Sequence, residues 1–364
     1  MCYECGQVDA FQTLRDFDNW HYMNQDTFPY HDHAALFTGY DLIHPDSGAR
    51  TVGLAFLGSM CSGGSVSVIE EGRGALDQHT SSHELGHSIG SDHDGYRTAE
   101  NCSSEELYLM SPKVRRITDT ALSTHPWIFS QCSKNDIHKL IDELDRYDAN
   151  CLANGPVPYG QTVPSMPGQI YSADEQCEMS VGPRSTVCRE CHFGEWTSIC
   201  YGMVCRLPGT SDGEWILPQD GTPCGQKKWC QQGRCVHANK IVAVSDSCPL
   251  DDDSGFGCDA NRCRNYTWDT REIKCCGSCI QRTHVQSSVQ AVPDEEDTAR
   301  TQHVSEQTTI TSNIVTTVKT DELTTRMEMP STQHSKIENS LHHYKLDFQM
   351  KVLISLYLAA TMTD

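Results

Sequence analysis

Residues 83–95 read His-Glu-Leu-Gly-His-Ser-Ile-Gly-Ser-Asp-His-Asp-Gly. On a helix, two histidines four residues apart are separated by just over one turn. The imidazoles of His83 and His87 therefore project to the same side and can share one metal ion. Glu84 lies off that ligand face but within reach of a water held by the metal. Gly90 lets the chain reverse without a side-chain clash, and three residues on His93 can swing back towards the same ion. Three neutral imidazoles leave one coordination position open for water, the arrangement of catalytic rather than structural zinc. Zinc held in this way lowers the pKa of its water towards ~7 and polarises a scissile carbonyl. Glu84 is then placed to take the proton from the attacking zinc-bound water and pass it to the leaving amine. The bland alternative, two histidines merely exposed on a helix, weakens once Gly90 and His93 follow at fixed offsets.

Such a centre needs rigid elements around it. Ala75 to about Ile89 reads as a helix, closed by Gly90 in a left-handed turn. Thr51–Gly58 and Ser65–Ile69 read as strands. From Asp136 to Tyr147, Ile137, Leu140, Ile141 and Leu144 form one apolar stripe, which predicts an amphipathic helix.

The rest of the chain bounds where this chemistry takes place. Of 364 residues, 28 are Lys or Arg and 49 Asp or Glu, a formal net charge of −21. A chain this acidic is repelled by phosphate backbones, so nucleic acid is not an expected partner. The sequence holds 20 cysteines, most of them between residues 177 and 279. That density predicts an oxidising, extracellular compartment and a disulfide framework. Two Asn-x-Ser/Thr sequons, at Asn101 and Asn265, agree with a secreted glycoprotein. Met1 to Cys5 have neither a basic start nor an apolar core, so no signal peptide is legible and the reading is of a truncated N-terminus. Val352–Ala360 is an apolar run shorter than the about 20 residues a bilayer requires. No membrane span is expected.

These residues carry a family resemblance. The zinc motif, followed by Tyr108-Leu109-Met110-Ser111-Pro112, resembles the extended motif and Met-turn of the metzincins, and Asp94 directly after His93 resembles their reprolysin (adamalysin) branch. His31-Asp32-His33-Ala34-Ala35-Leu36-Phe37-Thr38-Gly39, Gly53-Leu54-Ala55-Phe56-Leu57-Gly58 and Met60-Cys61-Ser62 are similar to further segments of the same domain. The resemblance implies an α+β (α/β) catalytic fold over residues 1–155, with its first strands and helices missing. It implies Met110 as an apolar floor beneath the metal, with Gly90 and Asp94 as structural residues, and disulfides Cys61–Cys151 and Cys102–Cys132. It also implies a structural calcium on Asp32, the carbonyl of Cys151 and Asn154; an ordinary turn carboxylate, bridge cysteine and turn amide are the alternative. The segment after Met110, Ser111 to Ile117, is expected to wall the S1′ pocket.

After a Pro- and Gly-rich linker at 156–167, residues 168–236 hold Cys177, Cys188, Cys191, Cys200, Cys205, Cys224, Cys230 and Cys235. Pro167 to Cys177 and Asp220 to Val236 are similar to the disintegrin-like module of the disintegrin-and-metalloproteinases with thrombospondin motifs. Such modules usually act as substrate-binding exosites, a rigid spacer being the alternative. No Arg-Gly-Asp occurs, so integrin binding is not supported. Eight cysteines allow 105 pairings, which the sequence leaves open. Residues 248–280 contain Cys248, Cys258, Cys263, Cys275, Cys276 and Cys279 and resemble a protease-and-lacunin module. Three disulfides fit this spacing better than a four-cysteine zinc site. Asp251 to Asp253 reads as a solvated turn, and Cys2 and Cys5 as leftover sequence rather than a redox pair. Residues 283–364, rich in Ser and Thr, read as disordered. The chain is thus expected to be a monomeric, secreted zinc metalloendopeptidase acting on extracellular proteins of matrix or plasma. The rival readings are an extracellular binding protein or a matrix component, acting through the cysteine-rich modules without proteolysis. Glu84 argues against both, because a pure binder has no chemical need for an acid beside two metal ligands.

Overall fold

The computed structural model describes residues 6–281, apart from residues 29, 46–47, 73, 155–164, 211 and 239–244. Cys2 and Cys5, most of the linker, the tail at 283–364 and the apolar run Val352–Ala360 lie outside the described residues.

Strand β1 (Gln7–Asp9) leads into helix α1 (Ala10–Asn24). Asp9 caps that helix by accepting the Gln12 N–H at 2.7 Å. Strands β2 (Ala34–Thr38), β3 (Asp41–Ile43), β4 (Gly53–Ala55) and β5 (Val66–Glu70) follow. β2 runs parallel to β5, with Ala34 opposite Val66, and β4 runs antiparallel on the other side of β5, with Leu54 opposite Val68. β1 and β3 form a separate parallel pair. In α1 the residues at i, i+4 and i+7, Ala10, Leu14 and Phe17, are buried against Val66, Val68, Ala34 and Leu42. Val66, Ser67, Val68 and Ile69 are all buried, as expected for a central strand covered on both faces.

The expected strand Thr51–Gly58 is shorter than its sequence pattern suggests. Beyond Ala55 the chain turns through Gly58, at φ +66°, and its backbone closes the end of the next helix. Gly58 N–H donates to the His87 carbonyl at 2.8 Å and Met60 N–H to that of Ser88 at 2.9 Å. This satisfies carbonyls that helix α2 (Ala75–Ser88) leaves without an intrahelical donor. Gly90, at φ +100°, then turns the chain out of the helix. Helix α3 (Gln131–Arg146) begins five residues before the apolar stripe. Ser130 sets that start by accepting the Ser133 N–H at 3.1 Å. The first turn is polar, so periodicity is silent there. Ile137 packs with Leu85, Ile89 and Met60, flanked by Leu140 and Ile141, and fastens α3 to α2. Disulfides Cys61–Cys151 and Cys102–Cys132 cross-link this region.

The cysteine-rich segment contains short helices α4 (Pro167–Ile170), α5 (Ala173–Val181) and α6 (Arg189–His192). Strands β6 (Thr186–Val187), β7 (Met203–Arg206) and β8 (Gly213–Ile216) form one antiparallel sheet. A second contains β9 (Pro223–Gly225), β10 (Lys228–Gln231) and β11 (Arg234–His237). The bridges are Cys177–Cys205, Cys188–Cys191, Cys200–Cys230 and Cys224–Cys235. Cys177–Cys205, Cys200–Cys230 and Cys224–Cys235 sit among Val187, Trp196, Ile199, Met203 and Ile216 in one small core, the usual remedy for a module too small to hold itself by burial alone. Cys248–Cys276, Cys258–Cys275 and Cys263–Cys279 close the last knot.

Asp251 to Asp253 is more than a solvated turn. The carbonyls of Leu250, Asp251 and Asp252 accept hydrogen bonds from Arg189 at 3.2, 3.3 and 2.8 Å. The Asp252 carboxylate accepts the Ser278 N–H at 2.9 Å.

Candidate metal centre

Helix α2 brings His83 and His87 to one side, and the turn at Gly90 returns His93 to meet them. His93 Nε2 lies 3.0 Å from His83 Nε2 and 3.1 Å from His87 Nε2. Backbone carbonyls fix the far side of two of the rings: His83 Nδ1 donates to Leu109 at 2.7 Å and His87 Nδ1 to Ser91 at 2.8 Å. With the proton on Nδ1, each Nε2 presents its lone pair to the shared centre. Burial holds His83 well below the ordinary histidine pKa, and neighbouring His87 and His93 add to the effect. Burial also lowers His87 and brings His93 down to about 4. All three rings are therefore neutral near pH 7, the form that binds metal.

Glu84 is not among the converging donors and is 5% exposed. Burial pushes its carboxyl up to about 8; a dication beside it acts in the opposite sense. Its seat is made by a glycine that sequence reading passed over. A Cβ built on Gly53 of β4 would stand 2.6 Å from Glu84 Oε1, 2.7 Å from Thr80 Cγ2 and 2.8 Å from Glu84 Cγ. Only the absence of a side chain there lets β4 lie this close to α2. An unexplained glycine in an otherwise apolar strand was the available signal.

Met110, expected to be an apolar floor, is fully buried. Its sulfur occupies the space that a side chain on Gly86 of α2 would fill. Asp94 is also fully buried and ties three segments together. Its N–H donates to the Met110 carbonyl at 3.0 Å, and its Oδ1 accepts the Ser130 hydroxyl at 2.5 Å at the start of α3. Burial raises its pKa, against the opposing effect of the Ser130 and Ser133 hydroxyls. Near the trio, His79, Leu107, Tyr108, Ser111, Val114 and Pro126 line a small cleft. It uses the stretch that sequence reading assigned to the S1′ wall.

The residues expected to hold calcium come from two segments. Asp32, just before β2, has Oδ1 buried with no hydrogen-bond partner among the described residues. Cys151 opens a 3-10 turn that ends at Asn154, whose side chain lies outside the described residues.

The cysteine-rich segment touches the domain that carries the three histidines. Gly233, in the β10–β11 turn at φ +76°, lies against the Ser123 carbonyl and the Trp127 ring, and Gly74 lies against Ser180 of α5.

Residues 6–156 match the model of the reprolysin (M12B) family zinc metalloproteases, and residues 167–236 match that of ADAMTS cysteine-rich domain 2. The latter is the segment that sequence reading likened to a disintegrin-like module. Among curated proteins, the chain is 33% identical over 238 residues to a disintegrin and metalloproteinase with thrombospondin motifs 7 from Rattus norvegicus. That match covers 62% of this chain and 14% of the rat protein. It is 35% identical over 211 residues to the Homo sapiens protein with thrombospondin motifs 19, covering 56% of this chain and 16% of that protein. Against the Homo sapiens protein with thrombospondin motifs 20, identity is 30% over 240 residues, 63% of this chain and 12% of that protein. The chain thus spans less than a fifth of the length of these relatives.

Proposed function

We propose that this chain, which carries a reprolysin-family domain followed by an ADAMTS-type cysteine-rich domain, is a zinc metalloendopeptidase of extracellular proteins. One observation supports this reading above the others: three neutral imidazoles turn their Nε2 atoms to one point while Glu84 is buried beside them without being part of the set. A donor set of three imidazoles fits zinc with one position left open. When bound, zinc supplies Lewis acidity for the scissile carbonyl and acidifies water. His83, His87 and His93 hold the metal, and the Leu109 and Ser91 carbonyls keep two of the rings in the ligating tautomer. Glu84 removes a proton from the attacking water and delivers it to the departing amine. Met110 and Asp94 position the ligands and touch no substrate.

The nine disulfides among the described residues suit an oxidising, extracellular setting. Asn101 and Asn265 are both exposed, as glycan attachment requires. No helix among the described residues is long and apolar enough to cross a membrane. A calcium ion on Asp32 with the Cys151–Asn154 turn belongs to the same reading, and the unpartnered Asp32 oxygen supports it. The cysteine-rich segment, packed against Ser123 and Trp127, serves as a substrate-binding surface beside the cleft.

The test is peptide cleavage by the refolded chain, with and without chelator, beside Glu84→Gln. Chelator should abolish cleavage, and Glu84→Gln should reduce kcat by at least about 10²-fold while the zinc stoichiometry stays at one for this centre. Turnover that survives Glu84→Gln rejects the mechanism. Zinc bound without turnover of any peptide favours the non-proteolytic binding protein.

A further inference from the structure

The cleft beside the candidate centre holds a polar group that the hydrolytic scheme does not use. His79 lies one turn before His83 on α2, so His79, His83 and His87 form a single row four residues apart. The latter two converge with His93, and His79 is not among those donors. Its half-buried ring instead lines the cleft with Leu107, Tyr108, Ser111, Val114 and Pro126.

The surroundings of that ring are braced and largely apolar. Tyr108 stacks on His125, with ring centroids 3.9 Å apart and planes at 10°. His125 is itself held by Nδ1, which donates to the Glu106 carbonyl at 2.6 Å. The Ser111 hydroxyl is engaged by the carbonyls of Ser104 and Lys113 at 2.9 and 3.2 Å. Arg115, at the rim of the cleft, pairs with Glu105. His79 has no hydrogen-bond partner among the described residues, and neither of its ring nitrogens is sealed from solvent. Burial lowers its pKa to about 4, so near pH 7 the ring is neutral and offers one N–H donor and one lone pair. A substrate side chain with a donor or acceptor replaces the hydrogen bonds lost when water leaves the cleft. An apolar side chain of the same shape leaves the imidazole unpaired.

We propose that His79 sets the specificity of this cleft, which takes an uncharged hydrogen-bonding side chain, such as that of Thr or Asn, from the substrate residue just after the scissile bond. The proposal rests on the hydrolytic reading, which puts that residue beside the metal. Lys113 and Arg115 are the competing determinants and would select a carboxylate instead. Both are exposed at the rim, where salt screens their charge, and Arg115 already has its counter-ion.

The experiment measures kcat/KM of the zinc-loaded full chain, wild type and His79→Leu, on peptides that differ only at that residue. The substitutions are the isosteric pairs Thr with Val and Asn with Leu, and Asp as the charged counterpart of Asn. Wild type should favour Thr over Val and Asn over Leu by about 10-fold, and Asn over Asp. His79→Leu should bring the first two ratios to one or below. Each ratio cancels any general loss of activity from a disturbed α2. Wild-type ratios below one, ratios unchanged in His79→Leu, or a preference for Asp over Asn overturn the proposal. Should His79→Leu fail to fold, the wild-type ratios alone decide. Calorimetric binding of two peptide hydroxamates, with Asn or Leu next to the zinc-binding group, separates the proposal from the hydrolytic reading. Preference for the Asn compound without cleavage of any peptide supports the role of His79 and rejects hydrolysis. Cleavage with no preference in either assay keeps hydrolysis and overturns the role of His79.

Discussion

A hydrogen atom at position 53 leaves room for the side chain of Glu84, the proposed proton carrier. Adding one methyl there brings carbon to 2.6 Å from Glu84 Oε1 and to 2.8 Å from its Cγ, with the Thr80 methyl at 2.7 Å closing the other side. Retreat of the carboxylate tip alone cannot relieve contacts with both Cγ and the Thr80 methyl, so the Glu84 side chain must leave its seat. A displacement of ~1 Å of a catalytic group costs on the order of 10²-fold in rate. Gly53→Ala is therefore expected to lower kcat by about that factor, with KM changed far less and zinc binding unaltered, because none of the atoms nearest a Cβ at position 53 belongs to His83, His87 or His93. Steady-state kinetics with metal analysis check this. A Gly53→Ala enzyme with wild-type kcat would show that Glu84 is not held where β4 puts it.

At the scale of elements, α2 is squeezed between what it carries and what supports it. Gly86 on that helix costs about 1 kcal/mol against alanine in propensity, yet its bare face receives Met110, with Phe129 Cε1 at 3.1 Å from where a Cβ would stand. Met110 is fully buried and has little room to withdraw. Overpacking of a filled core costs about 1–3 kcal/mol, so the clash outweighs the propensity gain. Gly86→Ala should lower stability by about 1–2 kcal/mol, read from urea midpoints, and should weaken cleavage as the Met-turn shifts. A stabilised Gly86→Ala would show that Met110 does not press on the helix. The contrast with Gly90 shows what was legible in the sequence. Gly90 follows a periodic apolar segment and so announces a helix end, and the His83–His93 spacing announces a shared centre. Gly53 stands out only as a glycine in an apolar strand, and neither it nor Gly86 says locally what it accommodates, because that arrives from residues 31 and 24 positions away. The same holds for the start of α3, where a polar first turn hides behind its serine cap, and for Asp94, whose partners Met110 and Ser130 are set by tertiary packing.

Across the whole molecule, no disulfide among the described residues joins the reprolysin-type domain to the eight-cysteine module, or that module to the final knot. Noncovalent joints carry the assembly. The most buried of them is Asp174 with Arg189, 5% and 2% exposed. Two parallel bonds at 2.9 and 3.0 Å link the side chains, and Arg189 goes on to the carbonyls of Leu250, Asp251 and Asp252 in the knot. Burial alone would raise the Asp174 pKa. Hydrogen bonds and charge from Arg189, with the N–H groups of Ser254 and Val187, outweigh it and leave the carboxyl below its ordinary value. Its stabilising contribution is thus complete above the unfolded carboxylate pKa of about 3.9 and is lost as pH falls through the lower folded value. His192 in the same module acts at milder pH. It is 3% exposed, accepts the Val204 N–H on Nε2 at 3.1 Å and donates from Nδ1 to the Ser198 hydroxyl at 2.7 Å. Burial, with the charge of Arg116 from the reprolysin-type domain, lowers it to about 4. The unfolded chain takes up that proton near pH 6.5 and the folded chain does not. Stability should therefore fall between about pH 6.5 and pH 4 and level off below, by up to roughly 3 kcal/mol from this group. Urea midpoints of the full chain from pH 8 to pH 3 are expected to show a decline beginning near 6.5 and a further one in strong acid. His192→Gln should make the first limb shallower by the share of this one group and leave the second. Asp174→Asn should lower stability at every pH above 4, by about 3–5 kcal/mol, since it leaves Arg189 buried without its counter-charge. The difference between wild type and His192→Gln cancels the titration of the other histidines. A difference that does not vary between pH 8 and pH 4 would mean that His192 is not held neutral by the fold.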